Sequence, residues 1–428
     1  MKTLIKNGNL FLGGHLAQMD LLIQDQKIQS IGYDLCSEEA CDQVIEAEGL
    51  LVTPGLIDVH VHYREPGQTD KETVKTGSRA AARGGYTTVC TMANTTPVPN
   101  TVPLLEAMIK RNKEEGCIKI HQYAPITEDL KSDRLIDGQA MKAAGAFALS
   151  NDGFGVQSAG TMYEAMLEAK KADLPICVHL EDRSLFKEGV INEGKIAEEL
   201  GLPGIHRLAE VAQLARDLEM VRETGVRYHV CHVSTKASLD LIRKAKVEGL
   251  AVTCEAAPHH LLLNEENITE DDAYYKMNPP LRSVEDQEAL IQGLMDGTVD
   301  MIATDHAPHT KEEKSQGFRK SPFGIIGIET AFALLYTHLV KEGRLTLTHL
   351  LSLMTTAPSQ TFDLGEVGRL EPGKAADITL FDLETSQKIL PEEYLSKAQN
   401  SPFNRESVYG MAVMTIVDGQ VVYNKLSK

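Results

Sequence analysis

Histidines and aspartates gather at the ends of short apolar runs in this chain. His60 and His62 close LIDVHVH (56–62), Asn94 follows TTVCTMA (87–93) and Asp152 follows AFALS (146–150). His179 closes PICVH (175–179), His232 lies near the end of RYHVCHV (227–233), and Asp305 follows VDMIAT (299–304). Side chains at i and i+2 of a strand share a face, so Asp58, His60 and His62 point the same way and the two imidazoles can grip one ion. Imidazole suits zinc, and carboxylates can bridge two ions. An isolated H-x-H carries little weight. With His179, His232 and Asp305 at three later run ends it becomes the donor set of a metal site.

The runs that end in these residues are strands, and the stretches between them are helices. With IKIHQYA (118–124) and LAVTC (250–254) there are eight such runs, separated by Ala-, Leu-, Glu- and Lys-rich pieces such as SAGTMYEAMLEAKKAD. Alternation of this kind predicts a (β/α)8 TIM-type barrel over residues 55–365, whose strand carboxyl ends converge on one face. A doubly wound open sheet is the competitor, but no G-x-G-x-x-G follows the first strand. Residues 1–54 and 366–428 share another texture, short strands with Asn-Gly, Pro-Gly and Asp-Gly punctuation. They are expected to combine into one small β-sandwich domain.

Composition narrows the partners. Of 428 residues, 43 are Lys or Arg and 61 Asp or Glu, a net charge of −18, so a nucleic-acid or anionic-membrane surface would be repelled. A small anionic substrate in a locally positive pocket is compatible with that balance. The start, MKTLIKNGNLFLGGHLAQMD, does not read as a signal peptide, and no apolar run approaches a membrane span. Seven scattered cysteines without a CxxC pair suit reduced thiols in a cytoplasmic protein. Cys36 and Cys41 could be half a zinc site, but no other half is nearby, so they read as solitary thiols.

Other histidines are expected to do less. His229, three residues before His232, should face the helical layer, and His121 is mid-strand without a partner. His15, His206, His338 and His349 read as surface residues. His259, His260 and His306 are expected to pack or to support the ligands rather than to ligate.

PGLIDVHVHYREPG (54–67) resembles the opening motif of the cyclic-amidohydrolase branch of the amidohydrolase superfamily, and more narrowly that of bacterial class I dihydroorotases. KMNPPLR (276–282), MIATDHAPHTKEEK (301–314) and LEPGKAADITLFD (370–382) agree, so the resemblance covers nearly the whole chain. It implies two zinc ions per subunit, one on His60, His62 and Asp305, the other on His179 and His232. Many superfamily members bridge their metals with a carboxylated lysine after the fourth strand; here ALSNDGFG offers none, and Lys142 lies at the wrong end of that strand. The class I pattern makes Asp152 the bridge. The implied reaction is the reversible interconversion of N-carbamoyl-L-aspartate and (S)-dihydroorotate plus water in pyrimidine biosynthesis. A metal-bridging hydroxide would be the nucleophile and Asp305 the general acid and base.

The same resemblance implies the substrate contacts. Arg64, two residues after His62, can form a bidentate pair with the substrate carboxylate; the alternative is a surface pair with Glu65. His62, Asn94, Asn278 and His309 are the other expected side-chain contacts, and Phe323 and Gly324 are expected to offer backbone groups. TKEEKSQGFRK (310–320) reads either as a lid or as a solvated loop. Dihydropyrimidinases, hydantoinases and allantoinases are the nearest rivals, against which Arg64 and the missing lysine both argue. A catalytically dead scaffold is disfavoured because every expected ligand is present. Analogy suggests a homodimer, and association with other pyrimidine enzymes is compatible with the sequence.

Overall fold

The computed structural model describes residues 1–426. Its central feature is a ring of parallel staves taken in chain order. Leu56–Val61, Tyr86–Thr91 and Lys119–Gln122 pair successively, as do Ile176–Val178, Tyr228–Val230, Val252–Ala256 and Met301–Ile302. AFALS, expected as the fourth strand, is reduced to bridges from Leu149 to Ala124 and to Ile176. Positive φ at Gly145 and Gly153 turns the chain close to both ends of this stretch, leaving room for little more. A bridge from Val61 to His306, with the His62 amide 2.9 Å from the His306 carbonyl, closes the ring. The fold is thus the expected (β/α)8 barrel.

Local sequence explains the helical layer. Ser or Thr caps Val74–Arg83, Ala159–Ala172, Lys236–Val247 and Val284–Asp296, each side chain accepting from a backbone amide three residues on. Each such cap contributes about 1 kcal/mol. Asp173 and Gly297 then end two of these helices in the left-handed conformation. Ile57, Val59, Cys90, Cys177, Cys231, Met301 and Ala303 fill the barrel interior as a buried cluster, and with Cys254, buried elsewhere, four of the cysteines serve as core. Cys36 and Cys41 are not solitary: their sulfurs lie 3.0 Å apart in the small domain.

Both termini build the second, smaller β unit. Its strand path runs Gln420–Asn424, Met411–Val417, Ile378–Asp382, Leu51–Pro54, Lys2–Leu12, His15–Gln24, Lys27–Gly32, with Gln43–Glu46 also on the Lys2–Leu12 strand. That long strand has an irregularity between Ile5 and Gly8, and its two halves pair different parallel partners. This device lets one strand serve both layers of a sandwich. Asp418 and Gly419, both at positive φ, make the tight Asp-Gly hairpin turn.

Residues 389–403 leave this β unit and pack on the barrel. Glu329, 4% exposed, accepts the Leu395 and Ser396 amides and pairs with buried Arg83 at 2.9 Å. Removing one partner of a buried pair strands the other charge. Glu329→Ala is therefore expected to cost about 3 kcal/mol or more of unfolding free energy in urea. A loss below about 1 kcal/mol would mean that Glu393, 3.3 Å from Arg83, suffices as a partner.

Candidate active site

The strand-end residues meet around Asp152. Its Oδ1 lies 3.4 Å from His60 Nε2, 3.6 Å from His232 Nε2 and 3.9 Å from His179 Nδ1, and its Oδ2 lies 3.5 Å from His62 Nε2. Asp305 Oδ1 is 3.0 Å from His62 Nε2 and 3.4 Å from His60 Nε2. Two overlapping donor groups result, His60–His62–Asp305 and His60–Asp152–His232, with His179 Nδ1 3.0 Å from His232 Nε2. All six residues are buried.

The outer nitrogens show what the inner ones are for. His60 Nδ1 donates to Glu255 (2.6 Å), His62 Nδ1 to Asn94 Oδ1 (2.9 Å) and His179 Nε2 to Glu181 (3.2 Å). Each of these outer nitrogens has its own acceptor, which leaves the inner nitrogen free to ligate a cation held between it and the carboxylates. His60 Nε2 and Asp152 Oδ1 are buried without any hydrogen-bond partner among the described residues. Such orphaned atoms are costly unless a cation joins them. The donor set therefore fits a metal, and the two Asp152 oxygens face different histidines.

Charge and backbone agree. Burial would raise the Asp152 and Asp305 carboxyls, but His60 and the other imidazoles hold both well below the usual carboxylate range. Burial likewise opposes ionisation of Glu255, yet His60 and His229 hold it at about 2. Arg64, His232 and Asp305 all have positive φ (58°, 33° and 49°). Side chains other than glycine rarely adopt that region, and such outliers cluster at active sites.

The expected substrate contacts line the same cavity, of about 130 Å³, with the metal-site residues. Of the expected metal ligands and substrate contacts, all but His60 and His309 line it, together with Gly153 and Ala307. Arg64 is buried; its Nε donates to the Pro308 carbonyl (3.2 Å), and its Nη2 lies 3.2 Å from His309 Nε2. Among the described residues no carboxylate pairs with it, and Glu65 instead accepts the Val74 amide. Asn94 also donates to Asp152 (3.3 Å), and Asn278 donates to Glu181 (2.5 Å). His309 donates to the Phe323 carbonyl (2.8 Å); burial and nearby Arg64 push its pKa far down, so the imidazole is neutral.

Some readings change and others hold. His229 does not face the helices: it bonds Thr253 (2.8 Å) and Glu255 (3.0 Å), while its neighbour Tyr228 reaches out to Asp217 (2.7 Å). Strand parity fails between His229 and His232 because the strand ends at Val230 and His232 turns left-handed. Asp58 braces the last stave, accepting the Thr304 hydroxyl at 2.5 Å and lying 3.0 Å from the His60 amide. His260 bonds the Pro279 carbonyl, and His306 accepts the Gly327 amide, so neither joins the cluster. Lys142 is exposed and donates to the Asp173 carbonyl, away from Asp152. Residues 310–320 form two short helices with Lys314 and Phe318 buried, which a merely solvated loop would not do. Glu181, Glu255 and Asn400 were missed, the last binding the His309 amide (3.2 Å) and the Gly324 carbonyl (3.0 Å).

Comparison with known proteins gives the family. The Dihydro-orotase-like family matches residues 49–238, and the Amidohydrolase family matches residues 327–423. The dihydroorotase of Lactobacillus helveticus is 56% identical over 429 residues, covering 100% of both chains. That of Ligilactobacillus salivarius is 56% identical over 430 residues, again covering 100% of both. The chain belongs to the dihydroorotase family. As a dihydroorotase-family protein it carries a metal cofactor, in keeping with its donor set. Among solved structures, an L-hydantoinase (dihydropyrimidinase) from Arthrobacter aurescens superposes with TM-score 0.89 at 27% identity, covering 99% of this chain and 96% of that one. The dihydropyrimidinase of Brevibacillus agri shares the fold at TM-score 0.87 and 24% identity, covering 99% and 95%. Among the described residues no helix is long and apolar enough to cross a membrane.

Proposed function

We propose that this chain is a zinc-dependent dihydroorotase, interconverting N-carbamoyl-L-aspartate and (S)-dihydroorotate plus water in pyrimidine biosynthesis. The observation that carries the substrate assignment is Arg64: a buried guanidinium without a carboxylate partner among the described residues, beside the metal donors. A buried cation of this kind calls for an anion. The ring carboxylate of dihydroorotate supplies one, while dihydrouracil and hydantoin do not.

His60, His62 and Asp305 would hold one zinc ion, His179 and His232 the other, and Asp152 both. Bound there, zinc would lower the pKa of water towards ~7 and polarise the ring amide carbonyl. Asp305 does the proton work. Held ionised, it accepts a proton from the water whose oxygen forms the new C–O bond, and gives it to the ring nitrogen as the C–N bond breaks. In ring closure it takes the proton from the carbamoyl nitrogen. Asn94 keeps the His62 tautomer and steadies Asp152. Arg64, Asn278, His309 and the Phe323 and Gly324 backbone orient the ring over these groups. A Cβ on Gly324 would stand 2.6 Å from the Ala307 Cβ, so glycine is what lets this backbone approach the pocket.

Glu255 links His60 to His229 and is expected to set metal affinity. Glu255→Gln removes that charge and should weaken zinc binding by about 10–100-fold in a chelator competition, with the fold intact. Unchanged affinity would reduce Glu255 to packing. The reading as a whole is tested by cyclisation of N-carbamoyl-L-aspartate, with elemental analysis of the same protein. Ring formation with two zinc ions per chain is expected; no cyclisation by zinc-loaded protein would overturn it. The domain boundaries after residues 54 and 365, a cytoplasmic location and a homodimer belong to the same proposal, the last being read directly by sedimentation.

A further inference from the structure

Lys314 is 2% exposed, and among the described residues no carboxylate pairs with it. Its Nζ donates to three backbone carbonyls, those of Lys276 (3.1 Å), Pro322 (3.1 Å) and Gly324 (2.9 Å). That is one acceptor for each ammonium proton. Lys276 repeats the device, donating to the carbonyls of Phe318 (2.5 Å) and Ser321 (2.6 Å), with Nζ 4.3 Å from the centre of the Phe323 ring. The Gly324 amide returns a bond to the Lys276 carbonyl at 3.0 Å.

The acceptors come from the two segments that wall the pocket. Lys276 lies two residues before Asn278, and Pro322 and Gly324 flank Phe323; Asn278, Phe323 and Gly324 all line the cavity. Burial pushes Lys314 down to about 7, with Lys276 adding to it, and burial pushes Lys276 down to about 8. Holding two ammonium groups here is thus costly, and an apolar side chain would fill the same space without that cost. What an apolar side chain cannot do is draw carbonyls of separate segments onto one point.

We propose that Lys314, seconded by Lys276, is a positioning residue that clamps the 317–324 segment to residue 276 and so fixes the Phe323–Gly324 backbone for substrate binding. The inference rests on the proposed function, in which that backbone meets the ring. Because it concerns binding rather than the reacting bond, losing the clamp should raise KM and spare kcat.

K314M and K276M, each zinc-loaded, test this in parallel with the unaltered protein. Dihydroorotate KM is expected to rise about tenfold or more in K314M and less in K276M, with kcat within about threefold and zinc content unchanged. Trypsin should cut after the exposed Arg319 and Lys320 faster in both variants. KM within about twofold of the unaltered protein would overturn the proposal. So would kcat falling in step with zinc content, the mark of a merely structural residue. If K314M does not fold, K276M decides by the same two outcomes. If the unaltered protein does not turn over dihydroorotate, the functional reading fails, while the trypsin comparison still reports whether the lysines hold the segment.

Discussion

Asp305→Asn is expected to lower dihydroorotate turnover by about 10³–10⁴-fold while changing KM by less than about tenfold. The amide keeps the size of the carboxylate and its place beside His62 and His60, at 3.0 and 3.4 Å. It cannot accept the proton that water must lose or deliver one to the ring nitrogen. General acid–base catalysis alone is worth about 10²–10⁴-fold, and Asp305 is also a proposed zinc ligand, which sets the effect at the upper end. Arg64, Asn278 and the Phe323–Gly324 backbone are untouched, so binding should persist. Steady-state kinetics with zinc content measured on the same sample checks this. Turnover above about 1% of the unaltered rate would remove Asp305 from the proton transfer.

Arg64→Met is expected to erase the preference for a carboxylated ring. Hydrogen bonds to charged groups are worth about 1.5–3 kcal/mol each, and a bidentate pair supplies two. At 1.4 kcal/mol per tenfold, kcat/KM for dihydroorotate should fall by about 10²–10⁴-fold, mostly through KM. Methionine retains much of the aliphatic stem, so the pocket wall survives, and any slow turnover of dihydrouracil should change by only about threefold or less. The two substrates measured on one preparation separate lost recognition from lost folding. A parallel fall on both would mean that Arg64 shapes the site through the Pro308 carbonyl and His309 rather than by binding the carboxylate.

What was legible in the sequence depended on strand geometry. The period of two puts His60 and His62 together, and parallel staves bring Asp152, His179, His232 and Asp305 to the same end without any sequence proximity. The same rule applies to Glu255, which stands one residue before the end of the seventh stave, just as it does to the carboxylates of the first, fourth and last. Parity misplaced His229 because the chain leaves its strand at Cys231, and a positive φ at His232 has no signature in the residue types. Asn400 was out of reach for another reason: its bond to the His309 amide spans 91 positions, and nothing in the composition of the C-terminal stretch distinguishes a brace on the barrel from a sheet connection. The buried lysines Lys276 and Lys314 were hidden likewise, since a charged stretch reads as solvated until its acceptors are seen.

In the proposed function, one cavity combines a metal site with an arginine that reads the substrate carboxylate. Hydrolysis of dihydroorotate, dihydrouracil and allantoin, measured side by side on zinc-loaded protein before and after chelation, tests it most directly. Dihydroorotate should be preferred by about a hundredfold or more, with activity lost to the chelator and restored by zinc. Equal or better turnover of dihydrouracil, or activity indifferent to the chelator, would contradict it.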